Sequence, residues 1–238
     1  MGDWAERYRD GESRLPDEPD ERQRQLTRLG NCAWGAGMSE LLAGNRAAAV
    51  EWLDRACDRY YESLEPAPAL SRRRRSRRSR REGGSELGSG PPVNESWGRS
   101  IAILKARLVA GRDARPDAEW TLAQHPEQSE SPIAHYAAAL GLLVLERYEE
   151  ARPAITPLRD REDFPADVAT AMAAIAAHDR LVYIEAVGNV LESFETREAY
   201  LEDVPVADTV IVLQTLAARR GLEAELPPSP LLPRSAHL

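Results

Sequence analysis

Apolar residues recur along this chain at the three- and four-residue spacing of amphipathic helices, and no segment keeps up the alternation that a half-buried strand requires. Alanine, a strong helix former, is abundant. The pattern therefore predicts an all-α fold. The predicted helices cover about residues 20–43, 46–64, 96–111, 116–124, 131–145, 148–159, 166–176, 181–191 and 209–220.

Within each predicted helix, the apolar stripe is expected to face the core. Residues 210–213 are all apolar, so the last helix is expected to be covered on most sides. The clearest stripes are Leu26, Leu29, Ala33, Ala36, Gly37 and Leu41 in the first helix, Ile133, Tyr136, Ala137, Leu140, Gly141, Val144 and Leu145 in the fifth, and Leu181, Ile184, Val187, Gly188 and Leu191 in the eighth.

Residues that end or begin helices separate these elements. Gly44-Asn45 predicts a helix stop and a turn. Asp208 is the expected N-cap of the last helix, and Gly221 is the expected residue just past its end. Pro153 lies near the start of its predicted helix, where the missing N–H matters least, whereas Pro157 is expected to shorten or bend that helix.

One segment interrupts the helical pattern. Residues 65–95 carry eight arginines between Ser71 and Arg81, followed by a Gly/Ser/Pro-rich stretch with few apolar side chains to bury. We therefore predict one helical domain over residues 1–238, with a disordered insert at 65–95 and an extended proline-rich tail at 222–238.

Charge is distributed unevenly along the chain. The whole sequence has 31 basic and 39 acidic residues and a formal net charge of -8. Without the eight arginines of the insert, 23 basic residues face 39 acidic ones, a net charge of -16. The helical body is therefore strongly acidic, and a partner with a basic face would be attracted to it.

The sequence points to a cytoplasmic location and no contact with a membrane. No stretch approaches the roughly 18 apolar residues that a membrane span needs. The first 21 residues are charged throughout, unlike a secretory signal. Cys32 and Cys57 are accordingly expected to be reduced and buried.

Residue patterns that carry catalysis are missing from the sequence. It has no HExxH, no GxSxG, no phosphate-binding glycine loop and no Cys–His nucleophile pair. The four histidines, His125, His135, His178 and His237, do not have the spacing of metal ligands. We therefore expect no enzymatic activity, no cofactor and no metal; an active site without a known motif is the alternative.

Two segments combine small residues and turn residues in a recurring order. Gly37, Gly44, Ala49 and Ala56 form the first, and the run 146–151, Glu-Arg-Tyr-Glu-Glu-Ala, forms the second. Both resemble the tetratricopeptide repeat. The resemblance implies antiparallel helix pairs that form a right-handed array. A compact helical bundle that uses glycine turns is the alternative.

A second resemblance covers two further parts of the chain. They are Ser96-Trp97-Gly98-Arg99 with Ile103-Leu104-Lys105-Ala106-Arg107-Leu108, and Val204-Pro205-Val206-Ala207-Asp208-Thr209-Val210 with Leu213-Gln214, Leu216-Ala217, Arg219-Arg220-Gly221-Leu222 and Ser229-Pro230-Leu231-Leu232-Pro233. Both parts resemble the immunity protein 49 family of bacterial polymorphic toxin systems. The resemblance implies a mostly helical protein, encoded beside a toxin, that neutralises the toxin by binding it. The arginine-rich insert departs from the short connection expected before Ser96.

These observations predict a non-enzymatic protein whose partner is another protein, and an immunity protein above all. Trp97, Arg99, Lys105 and Arg107, in the first family-like segment, are the candidate partner-binding residues. Two alternatives stay open: a tetratricopeptide-like adaptor that binds a peptide in a concave groove, and a nucleic-acid binder that uses the arginine run. The second is disfavoured because no aromatic residues interleave the arginines and the body is acidic.

Overall fold

The computed structural model describes residues 3–64 and 97–233, and the predicted insert at 65–95 lies outside them. Within the described ranges the chain forms helices and no strand, which confirms the all-α fold. The helices are α1 Trp4–Glu12, α2 Pro19–Leu42, α3 Arg46–Leu64, α4 Trp97–Ala110, α5 Arg115–Leu122, α6 Pro132–Val144, α7 Tyr148–Arg159, α8 Ala166–Ala177, α9 Arg180–Glu195 and α10 Asp208–Ala218, with 3₁₀ turns at Pro126–Gln128 and Leu201–Asp203.

Helices that follow one another in the chain pack in pairs, which are α2 with α3, α6 with α7, and α8 with α9. The first pair shows why the sequence needs small residues. A Cβ atom on Gly37 would lie 2.9 Å from Cγ of Leu53 and 3.2 Å from the carbonyl oxygen of Ala49, so α2 and α3 are nearly in backbone contact. Gly44, with φ of 83°, makes the turn between them.

The last helix, α10, packs against α4, α8 and α9 instead of continuing the line of pairs. Residues 210–213 are all buried, as their apolar run predicts. Helix α10 therefore covers part of α4 and part of α8. The pairing expected from the tetratricopeptide resemblance is present, and a right-handed sense of the array stays a prediction.

Helix α1 is absent from the sequence prediction. Its N-cap is Asp3, whose Oδ1 accepts a hydrogen bond of 2.9 Å from the amide of Glu6. Trp4 and Tyr8, one turn apart, are its buried residues, and Tyr8 packs edge-on against Trp52. Two aromatic side chains among seven polar or small residues make too weak a stripe to stand out from the charged sequence around them.

One predicted helix start is wrong, and one proline has only part of its expected effect settled. Helix α7 continues through both prolines to Arg159, so Pro157 does not shorten it, and a bend at Pro157 stays a prediction. Asp208 is the first residue of α10 rather than its N-cap, because one carboxylate oxygen accepts from the amide of Thr209 and the other binds Lys105. The expected C-terminal residue is confirmed: Gly221 has a φ of 63° and follows the end of α10.

None of the helices within residues 3–64 and 97–233 has both the length and the apolar content that crossing a membrane requires.

Gly37→Ala and Gly188→Ala form a matched pair of helix substitutions, since alanine favours helix over glycine by about 1 kcal/mol. At Gly188 the new methyl group meets nothing within 4 Å, so we expect the free energy of unfolding to rise by about 0.5–1 kcal/mol. At Gly37 the methyl group overlaps Leu53, and we expect a fall of about 1–3 kcal/mol. Urea unfolding followed by circular dichroism measures both values. Equal stabilisation of the two variants would contradict the close α2–α3 packing.

Candidate protein-binding surface

Lys105, one of the predicted partner-binding residues, lies in a buried ion pair. Its Nζ atom is 2.8 Å from Oδ2 of Asp208 and 2.9 Å from Oγ1 of Thr209. The two charged side chains are only 13% and 12% exposed. Burial is the largest single influence on the pKa of Lys105 and lowers it, but the charge and hydrogen bond of Asp208, together with Tyr136, outweigh burial and raise the pKa above 10.5. The pair therefore joins α4 to the first turn of α10.

Arg107 is likewise occupied within the protein. Its Nη1 is 2.8 Å from Oδ1 of Asp54, and its Nε is 3.6 Å from Oδ2 of Asp117. Tyr61 donates a hydrogen bond to the other oxygen of Asp117, and Arg112 binds the other oxygen of Asp54 at 2.7 Å. This network links α3, α4 and α5.

Trp97 and Arg99 stabilise the start of α4. Trp97 is buried. Arg99 donates from Nη1 to the carbonyl oxygen of Ser63, in the last turn of α3, at 2.5 Å. Burial lowers the pKa of the Arg99 guanidinium. The four predicted partner-binding residues therefore carry contacts inside the protein, and together they form no exposed patch.

The second family-like segment also makes internal contacts. Arg219 donates to the carbonyl oxygen of Val144 at 3.0 Å, and Arg220 donates to that of Ala176 at 3.1 Å. These carbonyls lie at the C-terminal ends of α6 and α8, where the last carbonyl groups of a helix have no amide N–H donor within the helix. Gln214 binds both the amide and the carbonyl of Ala224, which fastens the tail to α10.

The outer face of α9 is the most exposed apolar surface among the described residues. Leu181 is 81% exposed, and Val182 and Ile184 beside it are also exposed. Gly188, one turn further, has open space where a side chain would be. We call these four residues the α9 face.

The sequence places Leu181 and Ile184 in the core-facing stripe of this helix, and that assignment is wrong. The buried face of α9 consists instead of Tyr183, Ala186, Val187, Val190, Leu191 and Phe194. Helix α9 has apolar residues on more than one side, so spacing alone cannot tell which stripe is covered. A signal was present in the sequence, because Tyr183, Ala186, Val190 and Phe194 form a second three- and four-residue stripe.

Acidic side chains lie beside the α9 face. Asp179 is the N-cap of α9, and the exposed Glu185 and Glu192 follow Leu181 on the same side of the helix. Glu185 and Glu192 have no ion-pair partner among the described residues. Arg180 is the one basic residue in α9. The exposed side of α9 thus carries apolar residues in its first turns, with acidic residues beside and beyond them.

A groove between α6 and α7 is the second surface feature. Its volume is about 730 Å³. We call its apolar lining residues the floor, which are Leu122, Ala138, Leu142, Pro153 and Ala154, and its polar lining residues the rim, which are Glu127, His135, Arg147, Glu149 and Glu150. A smaller depression of about 430 Å³ between α1 and α2 is lined mainly by charged side chains that include Arg14, Arg24 and Arg28.

Both cysteines are free thiols. Cys57 is buried, as predicted, and Cys32 is half-buried. Burial raises the pKa of Cys57 to about 12. In the described part of the chain, no three His, Cys, Asp or Glu side chains are grouped so that they would hold a metal ion.

No protein-family model, curated protein or solved structure matches this chain.

Lys105→Met leaves the Asp208 carboxylate buried without its cation, so we expect the free energy of unfolding to fall by about 3–5 kcal/mol. The double variant Lys105→Met/Asp208→Leu removes both charges and is expected to recover much of that loss. Urea unfolding of the three proteins measures the effect. An unchanged stability in Lys105→Met would show that the pair does not join α4 and α10.

The same pair predicts a pH dependence. Because the pKa of Lys105 in the folded protein is raised above 10.5, the pair stabilises the fold fully below that pH. The stabilisation is lost as the pH rises through the folded-state value. We therefore expect the wild type to lose stability relative to the double variant only as the pH rises above about 10.5. A stability difference that stays constant above that pH would contradict the pairing.

Proposed function

We propose that this chain is a non-enzymatic protein that binds another protein, and that it acts as an immunity protein that neutralises a toxin by direct contact. The observation that carries the proposal is the α9 face, on which three large apolar residues are exposed to solvent. Exposed apolar residues that cluster within a polar rim are typical of protein interaction sites.

The size of the α9 face suits the centre of an interface. A 16-residue helix is about 24 Å long, and a standard interface covers about 800 Å² on each partner. Full burial of Leu181, Val182 and Ile184 would contribute about 1.5–3 kcal/mol for each side chain. Binding energy concentrated in a few central apolar residues is the usual arrangement in such interfaces.

Charge supports a toxin with a basic face as the partner. Without the eight arginines between Ser71 and Arg81, the chain has a net charge of -16, and the charged residues beside the α9 face are mainly acidic. A toxin that acts on nucleic acid needs a basic surface to bind phosphates. Opposite charges accelerate association of the two proteins and favour a docked orientation that covers that surface.

The family-like segments support the proposal in a different way from the one expected. They meet in the structure, because Lys105 of the first segment binds Asp208 of the second. Their shared role is to hold α4 and α10 together. Helix α9 lies outside both segments, so its exposed residues are free to differ according to the toxin that is bound. In this proposal the two segments maintain the scaffold and α9 selects the partner.

The adaptor alternative has less support. An open tetratricopeptide-like array would present its inner helices to a peptide, whereas α10 here packs on α4 and α8. The arginine run of the nucleic-acid alternative lies outside the described residues.

Co-expression with the products of adjacent genes tests the proposal. We expect one of them to inhibit growth, and we expect this protein to bind that product and restore growth. Leu181→Arg places a cation in the centre of the α9 face and should weaken binding by about 2–4 kcal/mol, roughly 30- to 1,000-fold, as measured by calorimetry.

Leu201→Arg is the matched control. Leu201 is 59% exposed, and it lies beyond the C-terminal end of α9, on a turn that packs against α2. We expect this variant to bind and to restore growth like the wild type. Failure of every neighbouring gene product to bind would overturn the immunity proposal. Equal binding by the two variants would show that the partner uses another surface.

A further inference from the structure

We propose that the groove between α6 and α7 is a second binding site, which takes a short peptide segment of another protein that carries apolar side chains flanked by arginine or lysine. The groove is separate from the α9 face and shares no residue with it. The inference therefore does not rest on the proposed function.

The floor of the groove is the reason for expecting apolar side chains in the bound peptide. Ala138 and Ala154 are small residues on α6 and α7, and they leave a space between the two helices that Leu122 and Leu142 border. The volume of about 730 Å³ falls within the range of roughly 300–1,000 Å³ that is usual for ligand pockets. Apolar side chains placed there would be removed from water on several sides.

The rim of the groove is the reason for expecting arginine or lysine on either side of those apolar side chains. Glu127, Glu149 and Glu150 line the groove together with a single guanidinium, that of Arg147. Arg147 is paired with Glu150 at 2.5 Å, and Glu149 is paired with Arg152 at 3.1 Å. These pairs are exposed, and exposed pairs contribute only about 0–1 kcal/mol, so an incoming cation can replace them at little cost.

His135 adds a group that can bind a peptide backbone. It is half-buried on α6 and lines the groove. Its imidazole has no hydrogen-bond partner among the described residues. A neutral imidazole has one donor and one acceptor, so it can bind either an amide or a carbonyl of an extended chain. Such a contact holds a peptide in the groove whatever its side chains are.

Charge and shape together favour a peptide over other occupants. The three carboxylates would repel the phosphates of a nucleic acid. A purely apolar ligand would take water away from those carboxylates without replacing it by a cation. A peptide with both apolar and basic side chains can pack the apolar ones on the floor and pair the basic ones with the carboxylates of the rim.

Fluorescence anisotropy with three labelled eight-residue peptides tests this site on the full chain. We expect GSRLLRSG to bind about tenfold more tightly than GSELLESG, which reverses the charges, and than GSRSSRSG, which lacks the apolar anchor. Comparable affinities for all three peptides, or tighter binding of the acidic one, would overturn the proposal.

Two groove variants locate the binding. Ala154→Trp fills the floor and should weaken binding of GSRLLRSG at least about tenfold. Glu149→Arg reverses one rim charge; it should weaken binding of GSRLLRSG and strengthen binding of GSELLESG. Since the side chain of Glu149 is 80% exposed, this variant keeps the proposal falsifiable even if Ala154→Trp does not fold.

Each variant has a matched control on α3. Ala48 is a half-buried helix alanine like Ala154, and Glu51 is an exposed glutamate paired with an arginine of its own helix, as Glu149 is. Ala48→Trp and Glu51→Arg should bind GSRLLRSG like the wild type, and so should Leu181→Arg. Equal weakening by groove variants and controls would assign the peptide to another surface and overturn the proposal. Loss of binding in Leu181→Arg alone would do the same.

Discussion

The buried contact between the Lys105 ammonium and the Asp208 carboxylate joins the middle of the chain to its end. Lys105 is the only lysine among 31 basic residues. A compact ammonium can reach Asp208 and Thr209 at once, whereas the larger planar guanidinium of arginine would need more space. The contact holds α10 against α4, and α10 in turn covers α8 and part of α9.

Buried polar contacts and exposed apolar residues therefore have different roles in this molecule. Arg99, Arg219 and Arg220 bind carbonyl groups at the C-terminal ends of α3, α6 and α8, and this fixes where those helices stop relative to their neighbours. The surfaces that we propose for partner binding lie elsewhere, on the outer side of α9 and in the α6–α7 groove. Substitutions at the first group of residues should mainly affect stability, and substitutions on the surfaces should mainly affect binding.

Much of the helical order was predictable, whereas the candidate sites were not. Nine of the ten described α-helices were predicted from apolar spacing and helix-ending residues, because both are local properties. Helix α1 was missed since only two aromatic residues mark it. The residues chosen for partner binding, such as Lys105 and Arg107, proved to be internal, because a sequence does not show whether a charge faces water or an opposite charge on another helix.

The sequence alone therefore determined the helical class, most helix positions, the turn at Gly44 and the strongly acidic composition. These follow from backbone preferences and from counting charges. Only the tertiary structure decided which of the two apolar stripes of α9 is covered, and that α10 packs on α4. It also brought the apolar floor and acidic rim of the groove together. These features depend on contacts between residues far apart in the chain, which local spacing does not encode.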